Sequence, residues 1–383
     1  MTPNTLDIFE RLIAFDTTSS RSNRALIDWV SAYLAERRIP FRLVESEDGT
    51  KANLLARVGP DSPGGVILSG HSDVVPVEGQ TWHSDPWTLT RRDDKLYGRG
   101  VADMKGFIAL VLAAIDAPQI PQLRRPLFLA ITYDEEVGCL GAPGLIERLP
   151  ALASAPALAI IGEPTDMKVV SVHKGMRIFD VSVTGQEAHS SQREHGISAI
   201  TAAVELMALV GRMDTEAQDR IAPADPCRPP GTTLSVGLVQ GGTANNILAR
   251  HCSFSWDLRA PSETDADLYE ARFREAADKL DAEIRRRAPD GGVTVHRRAS
   301  APPLELDSDS EAERLVRSLT GDNAVLGAAF VAEAGLYQRA GIPAVLCGPG
   351  SILQAHQPDE WIAMDQLRKG ADFLARLVTR LSS

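Results

Sequence analysis

The stretch Leu127-Phe128-Leu129-Ala130-Ile131-Thr132-Tyr133 runs without a charge into Asp134-Glu135-Glu136. A strand with one wet face alternates apolar and polar residues. This one does not, so it reads as a strand buried on both faces, as in a mostly parallel sheet covered by helices. The acids then stand at the carboxyl edge of that sheet, where open α/β folds collect their chemistry. Successive residues of an extended chain point to opposite sides, so Glu135 and Glu136 cannot easily play the same part. One can meet a metal while the other meets substrate. Taken alone, three acids are also explained by a solvated turn.

Outward from this strand the same design recurs. Val66 to Ser69 ends in Gly70-His71-Ser72-Asp73, Leu158 to Ile161 ends in Gly162-Glu163, and Pro343 to Leu346 leads through Gly348-Pro349-Gly350 to His356. Helical spacing lies between them at Leu26 to Leu34, at Phe107 to Ile115 and beyond Met364. The alternation predicts an α/β domain with a mostly parallel sheet. Around Lys174 the pattern changes to strand Arg177 to Thr184, helix Ile197 to Leu209, strands Thr233 to Val239 and Ala249 to Leu258, helix Asp265 to Arg287 and strand Gly292 to Arg297. That β-α-β-β-α-β order is ferredoxin-like. The expected organisation is a catalytic domain of residues 1–174 plus 300–383, interrupted by an α+β insert of residues 175–299. The Pro-rich piece Ala222 to Gly231 is a loop within the insert.

Bulk properties narrow the function classes. A chain of 383 residues exceeds one ordinary core, and 44% apolar with 24% charged residues is the balance of a folded enzyme. Forty Lys and Arg against 51 Asp and Glu give a net charge of -11 with no basic run, which argues against nucleic acid as a partner. No stretch reaches membrane-spanning length. Met1 to Ser20 reads as a polar cap and an amphipathic helix (Ile8, Leu12, Ile13) without the basic and apolar regions of a signal peptide, so a cytoplasmic location is expected. Cys139, Cys227, Cys252 and Cys347 form no C-x-x-C pair and read as reduced core thiols.

Chemistry concentrates at the strand ends. His71 offers an imidazole to a metal, and Asp73 two residues on offers a partner for the other ring nitrogen. Gly98-Arg99-Gly100-Val101-Ala102-Asp103 places a carboxylate at the start of the helix from Lys105. The spacing mimics a dinucleotide fingerprint, but Asp103 stands where the third Gly belongs and would repel a pyrophosphate. By itself Asp103 is equally a helix N-cap, and His71 a surface His. No G-x-S-x-G elbow supports a Ser nucleophile. Two His and three carboxylates at the strand ends of one sheet suit a pair of Zn-class ions with one bridging carboxylate.

Five ordered motifs carry a resemblance over nearly the whole chain: Ser69-Gly-His-Ser-Asp-Val-Val-Pro76, Gly98-Arg-Gly-Val-Ala-Asp-Met-Lys-Gly106, Thr132-Tyr-Asp-Glu-Glu-Val-Gly138, Gly162-Glu-Pro-Thr165 and Gln354-Ala-His-Gln-Pro-Asp359. In these the sequence resembles the M20 metallopeptidase family. The resemblance implies two divalent ions per subunit, Zn with Co as a substitute. It assigns His71, Asp103 and Glu163 to one ion, and Asp103, Glu136 and His356 to the other. It also implies that Asp73 orients His71, and that Glu135 is the general base that takes a proton from water and returns it to the leaving amine.

Three residues of the insert enter on the same ground. His189, in Gly185-Gln-Glu-Ala-His-Ser-Ser191, resembles a His that reaches across a homodimer to stabilise an oxyanion; Asn246 and Arg259 resemble substrate-carboxylate ligands. From the residues alone, His189 is a loop His and Arg259 a salt-bridge partner on the insert's sheet. His83, His173, His195, His251 and His296 fit no motif. Ala332-Glu-Ala-Gly-Leu-Tyr337 and Cys347-Gly-Pro-Gly-Ser351 resemble the acetylornithine deacetylase branch, which usually has Thr where Ala332 stands. The expected reaction is cleavage of an N-acyl-L-amino acid, N-acetyl-L-ornithine first. The alternatives are succinyl-diaminopimelate or another N-acyl amino acid, a dipeptidase or carboxypeptidase, and a silent dimeric binding protein.

Overall fold

The structure is a computed structural model that describes residues 4–383; the first three residues of the polar start, Met1 to Pro3, lie outside the described residues. The chain divides into two compact units. One comprises residues 1–172, 306–326 and 332–383, and the other residues 173–305 and 327–331.

The main sheet contains β1 (Phe41–Glu45), β2 (Ala52–Val58), β3 (Val66–His71), β6 (Leu127–Thr132), β7 (Leu158–Pro164), β8 (Val170–His173), β13 (Leu326–Ala328) and β14 (Ala344–Gly348), in the order β1-β2-β6-β3-β7-β14-β8-β13. The central four, β6, β3, β7 and β14, are parallel to one another, and β1, β2 and β8 join antiparallel. Every residue of β3, β6, β7 and β14 is buried, as uninterrupted apolar runs require of strands covered on both faces. The helix Lys105–Ala114 is apolar nearly all round and buries every residue but the last. It shares one core with the helices Thr5–Ile13 and Met364–Ser382. A second, three-stranded sheet of β4 (Thr90–Arg92), β5 (Lys95–Tyr97) and β15 (Trp361–Ala363), in the order β15-β5-β4, has no counterpart in the sequence reading. Three-residue strands are too short to show a period.

In the other unit β9 (Gly175–Thr184), β10 (Thr233–Gly241), β11 (His251–Ala260) and β12 (Gly292–Ala301) form an antiparallel sheet in the order β10-β11-β9-β12. Counted within the unit this is the strand order 2-3-1-4 of a ferredoxin-like fold. The helices Ala199–Gln218 and Glu263–Arg287 pack on it over Phe179 and Trp256, whose rings stack with centroids 4.3 Å apart. Each helix begins on a serine: Ser198 accepts from the Thr201 N–H and Ser262 from the Asp265 N–H. Among the described residues no helix is long and apolar enough to cross a membrane.

Candidate metal centre

Parallel strands deliver several acidic and imidazole side chains to one edge of the main sheet. His71 is the last residue of β3, Glu135 and Glu136 follow β6, and Glu163 lies near the end of β7. Asp103 closes the Gly-rich turn just before the helix Lys105–Ala114. That turn needs glycine at position 100, where φ is +81° and a Cβ would stand 2.8 Å from Val74. Gly162 serves a different need: a Cβ there would fall 2.1 Å from the Phe107 ring, so only glycine lets β7 carry Glu163 this close to the helix.

Two groups of potential ligand atoms result, each with its atoms within 4.8 Å of one another: His71, Asp103 and Glu163, and Asp103, Glu136 and His356. Asp103 belongs to both. Its Oδ1 lies 3.0 Å from His71 Nε2, and its Oδ2 lies 3.3 Å from His356 Nε2, which is also 2.9 Å from Glu136 Oε2. His71, Asp103 and Glu163 are buried, Glu136 is half-buried and His356 is exposed. Glu135 is buried beside them, with Oε2 4.0 Å from His71 Nε2 and Oε1 accepting from the Cys139 thiol at 3.5 Å.

The tautomer of His71 follows from its partner. Nδ1 lies 2.9 Å from the Asp73 carbonyl oxygen, which can only accept, so Nδ1 carries a proton, and Nε2 is the ring nitrogen turned to Asp103. The Asp73 carboxylate is 3.6 Å from the same nitrogen and is otherwise engaged: Oδ1 accepts from the Glu135 N–H and Oδ2 from the Glu136 N–H and the Ser19 hydroxyl. The spacing H-x-D anticipated a carboxylate on the imidazole. The structure gives that place to the backbone of the same residue.

The charge balance is unusual for a buried cluster. Burial, reinforced by neighbouring carboxylates, pushes Glu135 and Glu163 well above the ordinary carboxylate range and Glu136 up to about 7. Burial acts the same way on Asp103, but hydrogen bonds from His356 and His71 outweigh it and hold Asp103 below its ordinary value. His356 is raised to about 10 by its bonds to Asp103 and Glu136. His71 is raised despite its burial, by Asp103 and the charges of Glu135 and Asp73. Glu163 Oε1 is buried without a hydrogen-bond partner. Buried carboxylates held this close are tolerated when cations or donors compensate them, and these donors are the nitrogen and oxygen set that Zn-class ions take.

The insert residues lie in the other unit. His189 is exposed, its Nδ1 is 2.8 Å from Ser191 Oγ, and its backbone bridges to Ile247; the Ser190 N–H donates to the Asn246 carbonyl at 2.9 Å. Those two loops therefore adjoin. Arg259, half-buried on β11, forms an ion pair with Asp257 at 2.9 Å. Two further acids escaped the sequence reading. Glu333 is 1% exposed and accepts from the Ser69 hydroxyl at 3.2 Å, and Glu360 is 1% exposed beneath the Asp103 turn. Neither follows a strand end, so no local pattern marks them.

Comparison with known proteins agrees over the full length. Residues 67–380 match the profile of peptidase family M20/M25/M40. The chain is 34% identical to an acetylornithine deacetylase of Photorhabdus laumondii over 98% of this chain and 97% of that protein. It is 32% identical to one of Pasteurella multocida with the same coverage. Among solved structures, a metallo-carboxypeptidase of the M20 family from Sulfolobus solfataricus superposes with a TM-score of 0.75 at 17% identity, covering 100% of both chains. A dinuclear metal-binding peptidase of that family from Bacillus subtilis gives 0.68 at 14%, covering 98% of this chain and 97% of that one. At such identities the superpositions speak for the fold alone. With a profile match over most of its length, this chain belongs to peptidase family M20/M25/M40 and is one of its hydrolases.

Proposed function

We propose that the chain is a dinuclear metal-dependent amidohydrolase that cleaves N-acyl-L-amino acids, with N-acetyl-L-ornithine as its substrate. The observation that carries the reaction type is the sharing of Asp103 between two ligand groups, one carboxylate oxygen toward each His. His71, Asp103 and Glu163 would hold one ion and Asp103, Glu136 and His356 the other, with Zn the expected metal and Co a substitute. When bound, such a pair supplies Lewis acidity that polarises an amide carbonyl and makes water more acidic. Glu135 has burial and position but no place in either group, so it takes the proton of the attacking water and delivers it to the departing amine nitrogen. Asp73 holds the backbone from which Glu135 and Glu136 project. His189 donates a hydrogen bond to the oxyanion, and Asn246 and Arg259 receive the substrate carboxylate, in a homodimer whose insert supplies His189 to the neighbouring subunit.

Full-length similarity to acetylornithine deacetylases supports the substrate. Ala332, buried where that branch usually has Thr, is the feature that leaves room for a different acyl-amino acid. The deciding experiment is amine release by Zn- or Co-loaded protein from N-acetyl, N-succinyl and N-formyl amino acids and a few dipeptides. N-acetyl-L-ornithine is expected to give the highest kcat/KM. A dipeptide that outruns every N-acyl amino acid would replace this reading with a peptidase.

A further inference from the structure

The carboxylate of Glu360 fastens the turn that carries Asp103. Oε1 accepts from the backbone N–H groups of Ala102 at 2.8 Å and Asp103 at 3.1 Å, and Oε2 from the Gly100 N–H at 2.9 Å and Arg99 Nη1 at 2.9 Å. The Glu360 carbonyl also accepts from the Gly98 N–H. Three amides of one turn, those of Gly100, Ala102 and Asp103, thus close on one side chain from more than 250 residues away, as amide nests close on an anion.

The other end of this arrangement reaches His356. Arg99, as buried as Glu360, donates from Nη1 to the Gln357 carbonyl at 3.3 Å and from Nη2 to Gln80 Oε1 at 2.6 Å. Gln80 Nε2 in turn donates to the His356 carbonyl at 2.9 Å. His356 has φ at +65°, a conformation that a residue with a Cβ keeps only where its surroundings impose it. One carboxylate therefore governs two backbones, that of Asp103 directly and that of His356 through Arg99 and Gln80.

We infer that Glu360 is a positioning residue that sets the separation of Asp103 and His356, and hence the affinity for the cation they would share; this rests on the metal reading proposed above. A buried ion pair kept for the fold alone contributes little, because desolvation offsets its attraction. Here three of the four donors are amides of the very turn that aims Asp103, which ties the pair to that residue's placement.

The test is calorimetric titration of Zn into the metal-free full-length chain, for the wild type, Glu360→Gln and Gln80→Ala, with thermal unfolding of each metal-free protein recorded alongside. Whichever way the substituted amide turns, its NH2 faces donors, so Glu360→Gln is expected to weaken at least one cation by about 10- to 100-fold, the range for residues behind metal ligands. Gln80→Ala leaves the Asp103 turn intact and is expected to weaken one cation only. A folded Glu360→Gln protein that binds two ions with wild-type affinity overturns the inference. If Glu360→Gln does not fold, unchanged affinity for both ions in Gln80→Ala overturns it instead. Failure of the wild type itself to bind a pair of ions would remove the metal reading, an outcome distinct from wild-type binding that the variants fail to alter.

Discussion

Asp73 Oδ1 accepts a hydrogen bond from the Glu135 backbone N–H at 3.1 Å, so the end of β3 and the turn after β6 are fixed to one another where Glu135 begins. Glu135 is thereby aimed by a rigid backbone while its carboxyl remains outside both ligand groups. Glu135→Gln is expected to keep both metal ions and to lose about 10² to 10⁴ in kcat, the usual size of a lost general base. Bound metal measured beside kcat decides the matter. Loss of one ion per subunit would make Glu135 a ligand.

Asp103 directs its two carboxylate oxygens to different imidazoles. Asp103→Ala is therefore expected to disturb both ions, whereas His71→Ala and His356→Ala each weaken one. Stepwise metal titration separates these cases. An Asp103→Ala protein that still binds one ion at unchanged affinity would contradict the shared role.

How much of this was legible in the sequence depended on distance along the chain. β3, β6 and β7 were plain because uninterrupted apolar runs mark strands buried on both faces, and their ends pointed to His71, Glu135, Glu136 and Glu163. The insert's sheet followed from the order of its elements. The nest around Glu360 was not legible, because its donors lie some 260 residues earlier and all but Arg99 are backbone amides, which leave no trace in residue type. Nor could H-x-D spacing say that His71 bonds the carbonyl of Asp73 in place of its carboxylate. The short strands β4, β5 and β15 were missed for want of length.

His189 is exposed on its own unit, as a residue that serves a neighbouring subunit must be before assembly. Mixing His189→Ala with Glu135→Ala subunits, with exchange verified, tests service in trans. In a mixed dimer one site then collects both lesions and the other none, so random pairing at equal amounts is expected to restore about a quarter of wild-type sites. Exchange without recovered activity places His189 in its own subunit's site.

His173 gives the fold a pH dependence of its own. Its ring is fully buried in β8 and Nδ1 bonds the Lys174 carbonyl at 3.0 Å; burial, only partly offset by that bond, lowers it from 6.5 to about 4. The unfolded chain therefore binds this proton before the folded chain does. The neutral ring's contribution is complete above pH 6.5 and is lost as pH falls toward 4, by about 3 kcal/mol in all. Urea unfolding of metal-free protein at pH 7 and pH 5 is expected to show a smaller acid loss for His173→Gln than for the wild type. Equal losses would mean that the buried ring does not control the slope.

The interruption of the main unit also orders events during synthesis. All four strands of the insert's sheet have been synthesised by residue 301, while β14, which lies between β7 and β8, does not exist until residue 348. The nascent main sheet thus waits with a gap at its centre while some 180 residues are translated after β7. His356 and Glu360 arrive later still, after β14. Asp103 spends that interval without its fastening, so a truncated or stalled chain carries at most the His71, Asp103 and Glu163 half of the centre. Synthesis of the segment that carries His356 and Glu360, and not the folding of the first domain segment, is the step that makes the second ligand group available.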